Sequence, residues 1–140
     1  MKDRVALVTG GNRGIGLGFV EELLNQGAAK VYIASRTLAD AEEIAARDPK
    51  RLKAIELDVT RPEQIEKAAA ECRDVTLLVN NAGMFLMERL YKTDKPDAVR
   101  QEMEVNFFGV LNMVRAFGPV MEANGRGAVV NVLSAGGIVA

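Results

Sequence analysis

Thr9-Gly10-Gly11-Asn12-Arg13-Gly14-Ile15-Gly16 is the stretch on which the reading of the whole chain turns. The apolar run Val5-Ala6-Leu7-Val8 precedes it, and an amphipathic run through Phe19, Val20, Leu23 and Leu24 follows it. A buried strand, a glycine-rich turn and a helix, in that order, is the context in which such a loop holds a phosphate. The first turn of a helix carries unpaired N–H groups and a partial positive charge, and both suit an anion. Glycines let the backbone turn tightly and come close to a pyrophosphate. The spacing Gly-x-x-x-Gly-x-Gly differs from the Gly-x-Gly-x-x-Gly of the standard dinucleotide fingerprint. No Lys-Ser or Lys-Thr pair follows the last glycine, so this is not a Walker A loop. Taken alone, the stretch admits either a nucleotide site or a structural turn.

The composition around it is that of one soluble globular domain spanning residues 1–140: 49% hydrophobic, 26% charged, net charge −1. A chain of this size buries roughly 68–70% of its unfolded surface, enough for one solid core. The near-zero charge gives no electrostatic case for nucleic acid or an anionic membrane surface. No apolar run approaches the ~20 residues of a membrane span, and the N-terminal run is too short for a signal peptide. One cysteine, Cys72, cannot form an internal disulfide, so a reducing cytoplasm is expected. The absence of histidine excludes a His-based triad, and with a single cysteine it argues against a metal site.

Hydrophobic periodicity divides the chain into alternating strands and helices. Val5–Val8 is expected as a first strand, apolar on both faces as central parallel strands are. A helix is expected from Gly14 to Gln26 with Ile15, Phe19, Val20, Leu23 and Leu24 inward, closed by Gly27. Lys30–Ser35 is expected as the second strand, and Leu38 to Arg47 as a helix with Leu38, Ala41, Ile44 and Ala45 inward. Leu52–Val59 is the expected third strand. Thr60-Arg61-Pro62-Glu63 then has a capping-box pattern, with Thr60 at the N-cap of a helix reaching Cys72. Val75–Val79 follows as a strand, then Asn80-Asn81-Ala82-Gly83 and an irregular stretch over 84–95. One long helix is expected from Asp97 to Ala123, and a fifth strand over Ala128–Leu133. Five alternations of this kind imply right-handed βαβ units and a parallel sheet covered by helices on both faces.

Several motifs now fall in one order: Thr9-Gly-x-x-x-Gly-Ile-Gly16, Asp58, Asn80-Asn-Ala-Gly83, Asn106 and Ser134. The set resembles the short-chain dehydrogenase/reductase (SDR) family, and the resemblance covers the whole chain. The variant glycine spacing is that family's own pattern. The resemblance implies a Rossmann fold, an α/β doubly wound parallel sheet in the order 3-2-1-4-5-6-7. This chain holds five of those strands, 3-2-1-4-5, and ends before the later strands and helices. It also implies a nicotinamide dinucleotide across the crevice between strands 1 and 4, and hydride exchange with a small alcohol or carbonyl substrate. Gly10, Asn12, Arg13, Gly14, Ile15 and Gly16 then become the cofactor loop. Asp58 and Val59 match the pair that meets the adenine, although Asp58 could instead cap the next turn. Asn80, Ala82 and Gly83 match the segment that supports the adenosine half and braces the sheet, with Asn81 either structural or binding.

The choice of cofactor rests on the end of the second strand, where an acid would suit the ribose 2′-hydroxyl of NAD and an arginine the 2′-phosphate of NADP. Ser35-Arg36 supplies no acid, and Arg13 is a second cation nearby. A guanidinium grips a phosphate with two parallel bonds. NADP(H) is therefore expected over NAD(H), unless both are simply solvated surface arginines.

The resemblance also implies an active site of asparagine, serine, tyrosine and lysine. Asn106 matches the asparagine, though it could merely kink a helix, and Ser134 matches the serine, though it could merely end a strand. The tyrosine and lysine are expected about a dozen residues after Ser134, and the chain stops at Ala140. Tyr91-Lys92-Thr93-Asp94-Lys95 has the right internal spacing but precedes both residues, and Thr93, Asp94 and Pro96 place it in a loop. These 140 residues are accordingly expected to bind cofactor with little turnover. The alternative is a dinucleotide-binding module without catalysis. The helix over 97–123, apolar nearly all round, is expected to pack on the sheet and on a second subunit, making a homo-oligomer, or else under a further helix.

Overall fold

The computed structural model describes residues 1–86 and 97–134. Five parallel strands form one sheet: β1 (Val5–Thr9), β2 (Lys30–Ser35), β3 (Leu52–Glu56), β4 (Leu77–Asn80) and β5 (Val129–Asn131). Their spatial order is β3-β2-β1-β4-β5, with the chain crossing over after β3 to pair β4 against β1. Ala6, Leu7 and Val8 are completely buried because β1 has neighbours on both edges and helices on both faces.

Alternation along the strands builds two core layers. Leu7, Tyr32 and Leu78 point to one face, where they meet α3 (Pro62–Glu71) and α5 (Val110–Ala123) through Ile65, Met113 and Phe117. Ala6, Val8, Ile33 and Val79 point to the other, where α1 (Gly14–Asn25) and α2 (Leu38–Ala45) supply Val20, Leu23, Ala41 and Ile44.

Several element boundaries differ from the expectation for identifiable reasons. β3 stops at Glu56, because the Asp58 carboxylate folds the chain into a turn there. Asp58 Oδ1 accepts from the Thr60 backbone N–H (2.9 Å) and the Thr60 hydroxyl (2.7 Å), and the Asp58 N–H donates to Gln64 Oε1 (2.7 Å). Thr60 is therefore not a helix cap. α3 begins at Pro62, and Arg61 occupies the cap position without a side-chain bond. The Thr60 hydroxyl gives its proton to an ionised carboxylate two residues back, a charge-assisted bond that holds the side chain in that turn. Ile15 and Leu38 are exposed instead of inward. Each lies at the start of its helix, beyond the C-terminal edge of the sheet, where no strand is left to cover it.

The helix expected from Asp97 to Ala123 is three segments. α4 (Asp97–Met103) and α5 flank a π-helical turn over Glu104–Gly109. One wider turn re-phases the side chains that follow. Met113, Phe117 and Met121 are buried against the sheet, while Val99, Met103, Phe107, Phe108 and Leu111 remain exposed. The rings of Phe107 and Phe108 meet edge to face, with centroids 5.1 Å apart. β5 is the outer strand, and all three of its residues are exposed.

A charged cluster lies at the opposite end of the sheet, where β2 begins. The Lys30 ammonium is 2.5 Å from Asp74 Oδ2 and also donates to the Tyr32 hydroxyl (3.2 Å), which donates to Asp74 Oδ1 (2.9 Å). Burial works to raise the Asp74 pKa, yet donation from Lys30 and Tyr32 outweighs it and holds the carboxyl below its ordinary value. The Lys30 pKa is raised, chiefly by its bond to Asp74, and burial raises that of Tyr32. Cys72, close by, is buried, and its thiol is pushed up to about 12 by the loss of solvent.

Candidate functional site

At the C-terminal ends of β1 and β4 the crossover opens a crevice of about 980 Å³. In doubly wound sheets the order reverses at such a point and the connections diverge to either face, leaving room for a ligand. One wall is the loop from β1 to α1. Gly10 and Gly14 have φ of +64° and +54°, the left-handed region that L side chains avoid. A Cβ on Gly14 would meet nothing within 4 Å, so its backbone faces open space. A Cβ on Gly16 would land on the Gly10 carbonyl oxygen, so α1 can start this close to the loop only without one.

Thr9 ties this loop to the opposite wall. Its hydroxyl accepts from the N–H groups of Asn81 and Ala82 (both 3.0 Å) and lies 3.3 Å from the Val79 carbonyl, to which it donates. The Asn81 amide returns the connection, donating to the carbonyls of Thr9 (2.9 Å) and Gly10 (3.2 Å). Asn81 thus ties the two walls together, and it also lines the crevice. The sequence hinted at this only through the adjacency of Asn81 to the apolar run of β4.

The crevice suits an anion. α1 has no side-chain cap and no acidic residue in its first turn, so its leading N–H groups are not claimed by a carboxylate. Arg13 and Arg36 both line the space. Among the described residues neither guanidinium makes an ion pair or a hydrogen bond. The space Gly14 leaves, the unclaimed helix start and the two cations fit the pyrophosphate of a dinucleotide.

Gly10, Asn12, Arg13, Gly14, Ile15, Arg36, Asp58, Val59, Ala82 and Gly83 come together around this crevice. Gly16 and Asn80 do not line it. Gly16 sits behind the loop, and Asn80 is buried at the end of β4, donating to Asn131 Oδ1 of β5 (2.9 Å). Asn106 lies outside the lining but holds its rim. Its Oδ1 accepts from the Met84 N–H (2.8 Å) and its Nδ2 donates to the Met84 carbonyl (2.7 Å), fastening the segment after Gly83 to the π-helical turn. Ser134 is exposed just past β5 and also lies outside the lining. Tyr91 and Lys95 lie outside the described residues.

Other lining residues were not singled out by the sequence: Thr37 and Asp40 at the start of α2, and Arg100, Gln101 and Glu104 at α4 and the turn after it. Asp40 accepts a hydrogen bond from the Asn12 amide (3.3 Å). The available signal was position, since every helix that follows a strand in such a sheet starts at this edge.

The strand order and the crevice at its reversal define a Rossmann-type nucleotide-binding domain. The family model for short chain dehydrogenase matches residues 4–140. An NAD-dependent glycerol dehydrogenase of Listeria innocua is 35% identical over 99% of this chain and 55% of its own length. A galactitol 2-dehydrogenase of Agrobacterium fabrum is 35% identical over 98% of this chain and 55% of its own. A short chain dehydrogenase of Burkholderia cenocepacia, solved in complex with NADP, superimposes with a TM-score of 0.91. It is 45% identical, covering 99% of this chain and 56% of that one. The chain belongs to the short-chain dehydrogenase family of oxidoreductases, and it spans about half the length of the relatives it matches.

Proposed function

We propose that this chain carries the cofactor-binding half of an NADP(H)-dependent oxidoreductase acting on a small alcohol or carbonyl compound. The observation that carries this reading is the pair of unpartnered guanidiniums, Arg13 and Arg36, beside an uncapped helix start. A nicotinamide dinucleotide bound there supplies the hydride donor or acceptor. The Gly10–Gly16 loop and the first N–H groups of α1 hold the pyrophosphate, and Arg13 and Arg36 clamp the 2′-phosphate. Asp58 keeps Oδ1 in its own turn, leaving Oδ2 to accept from the adenine amino group. Thr9 and Asn81 keep the two walls at a fixed separation. Asn106 braces the rim, and the Ser134 hydroxyl hydrogen-bonds the substrate oxygen.

The proton donor is not Tyr32, which is buried at the far end of the sheet, and we take Tyr91-Lys95 as a coincidence of spacing. The exposed face of Val99, Met103, Phe107, Phe108 and Leu111 seats a second copy, which sedimentation would reveal as a homo-oligomer. Cytoplasmic residence fits the lone buried Cys72. No helix among the described residues is long and apolar enough to cross a membrane.

Titration with NADPH and NADH tests the cofactor assignment. NADPH is expected to bind tighter, and Arg36→Ser to weaken NADPH about tenfold, about 1.4 kcal/mol, with NADH unchanged. Equal affinities in the parent chain would refute the NADP(H) preference.

A further inference from the structure

Four carboxylates line the crevice, those of Asp40, Asp58, Asp97 and Glu104, and Asp40 is the one that sits four positions after Arg36 on the wall that carries it. It is the third residue of α2, and it lines the same space as Arg13, Arg36 and Thr37. Its carboxylate makes no ion pair among the described residues. It is held by the Asn12 amide, which belongs to the glycine loop and donates to Oδ2 at 3.3 Å. That bond joins the loop after β1 to the helix after β2 and turns the carboxylate toward the loop that carries Arg13. Thr37 occupies the cap position of α2 without a side-chain bond, and Asp40 is the acid in the first turn of that helix. Its charge also complements the positive end of that helix.

We propose that Asp40 is a specificity-determining residue of this crevice. Held by Asn12, its negative charge opposes the 2′-phosphate that Arg13 and Arg36 attract, and it lowers the discrimination between NADP(H) and NAD(H) below what the arginines alone would set. The proposal rests on the dinucleotide reading of the crevice. Asp58 is the carboxylate at the end of β3, in the turn it makes with Thr60, and not on the wall between Arg36 and the glycine loop. The chemistry is one of charge alone. NADPH adds a phosphate dianion at the ribose 2′ position, whereas NADH places a neutral hydroxyl there, which an ionised carboxylate accepts from without penalty.

Asp40→Asn tests this, because the amide keeps the size of the side chain and an oxygen for the Asn12 bond while removing the charge. Equilibrium titration of the parent chain and the variant with NADPH and NADH is the measurement. NADPH affinity is expected to rise about fivefold, with NADH affinity equal or slightly lower, as for a unit charge removed several ångströms from an anion in a wet site. Because the effect is electrostatic, the gain should shrink as salt rises from about 0.02 to 0.5 M. An equal change for both dinucleotides, no change for either, or a gain insensitive to salt would overturn the proposal. Asn12→Ala is a second probe. It frees the carboxylate and should raise NADPH affinity relative to NADH in the parent, but not when Asp40→Asn is already present; the same gain in both backgrounds would count against the role of the bond. Binding of neither dinucleotide by the parent chain would overturn the dinucleotide reading itself, and this proposal with it. NADPH binding that depends on Arg36 but ignores Asp40 would overturn this proposal alone.

Discussion

The hydroxyl of Thr9 is the smallest group on which the geometry of the crevice depends, and Thr9→Val removes it while keeping the shape of the side chain. The residue is 2% exposed, so water cannot replace what is lost. Two backbone donors, on Asn81 and Ala82, lose their acceptor, and the Val79 carbonyl loses a donor. A hydrogen bond contributes about 0.5–1.5 kcal/mol net, and a buried donor left unpaired costs about 1–3 kcal/mol. Asn81 and Ala82 are only half-buried, so some rehydration is available to them and the lower values apply. The expected loss is about 2–3 kcal/mol, a large share of the ~5–15 kcal/mol that stabilises a typical domain. Urea unfolding, followed by circular dichroism, gives this directly as a shift in midpoint at constant slope. Thr9→Ser is the control. It keeps the hydroxyl and deletes one methyl, a change of about 1 kcal/mol. A Thr9→Ser loss equal to or larger than that of Thr9→Val would show that Thr9 acts through packing, and the reasoning about the two walls would fail.

Three further perturbations follow from the same geometry. Gly16→Ala would drive a Cβ into the Gly10 carbonyl, so the loop must move; we expect a stability loss above about 2 kcal/mol and loss of NADPH binding by titration. Gly18→Ala, two residues on in α1 with nothing within 4 Å of the added carbon, should stabilise by about 0.5–1 kcal/mol and leave binding alone. The Lys30–Tyr32–Asp74 cluster sets a pH profile. Asp74 is depressed, so its contribution is full above about pH 4 and is lost as pH falls through its lowered value. Lys30 and Tyr32 are raised, so theirs is full below about pH 10 and is lost as pH climbs beyond it. Asp74→Asn should cost about 1 kcal/mol at pH 7, because the pair is partly exposed and screened, and progressively less as the pH falls below about 4. A thermal-melt difference that stays constant through that fall would contradict the assignment.

What was legible in the sequence was whatever depends on near neighbours. β1, β2 and their helices were readable because a strand buried on both faces leaves a short apolar run, and α1 and α2 leave a 3.6-residue stripe. The π-helical turn was not, because Glu104–Gly109 carries the same apolar spacing as an unbroken helix. What distinguishes it is the grip of Asn106 on Met84, a contact across the fold. Thr60 misled for a related reason: a capping pattern specifies what a threonine can bond, and Asp58, two residues earlier, offers it a charged partner instead. The crevice was legible as a loop with two arginines. Its Asp40–Asn12 bond was not, since those residues are 28 apart and meet only when β2 lies beside β1.

The crossover between β1 and β4 also divides the chain by the entropy of closing loops. β1 with β2, and β2 with β3, join segments only about 20–25 residues apart, whereas β1 with β4 closes a loop of about 70, which costs about 1 kcal/mol more. That junction has three paired positions, against five on each of the β1–β2 and β2–β3 borders. It is therefore a weaker border than either of those two, and amides of Leu77 and Val79 should exchange with deuterium sooner than those of Val31 to Ala34. Any ligand lying across the mouth of the crevice touches both sides of that border. It would act as a clasp, and slowed exchange along β4 would register its arrival far from the atoms it contacts.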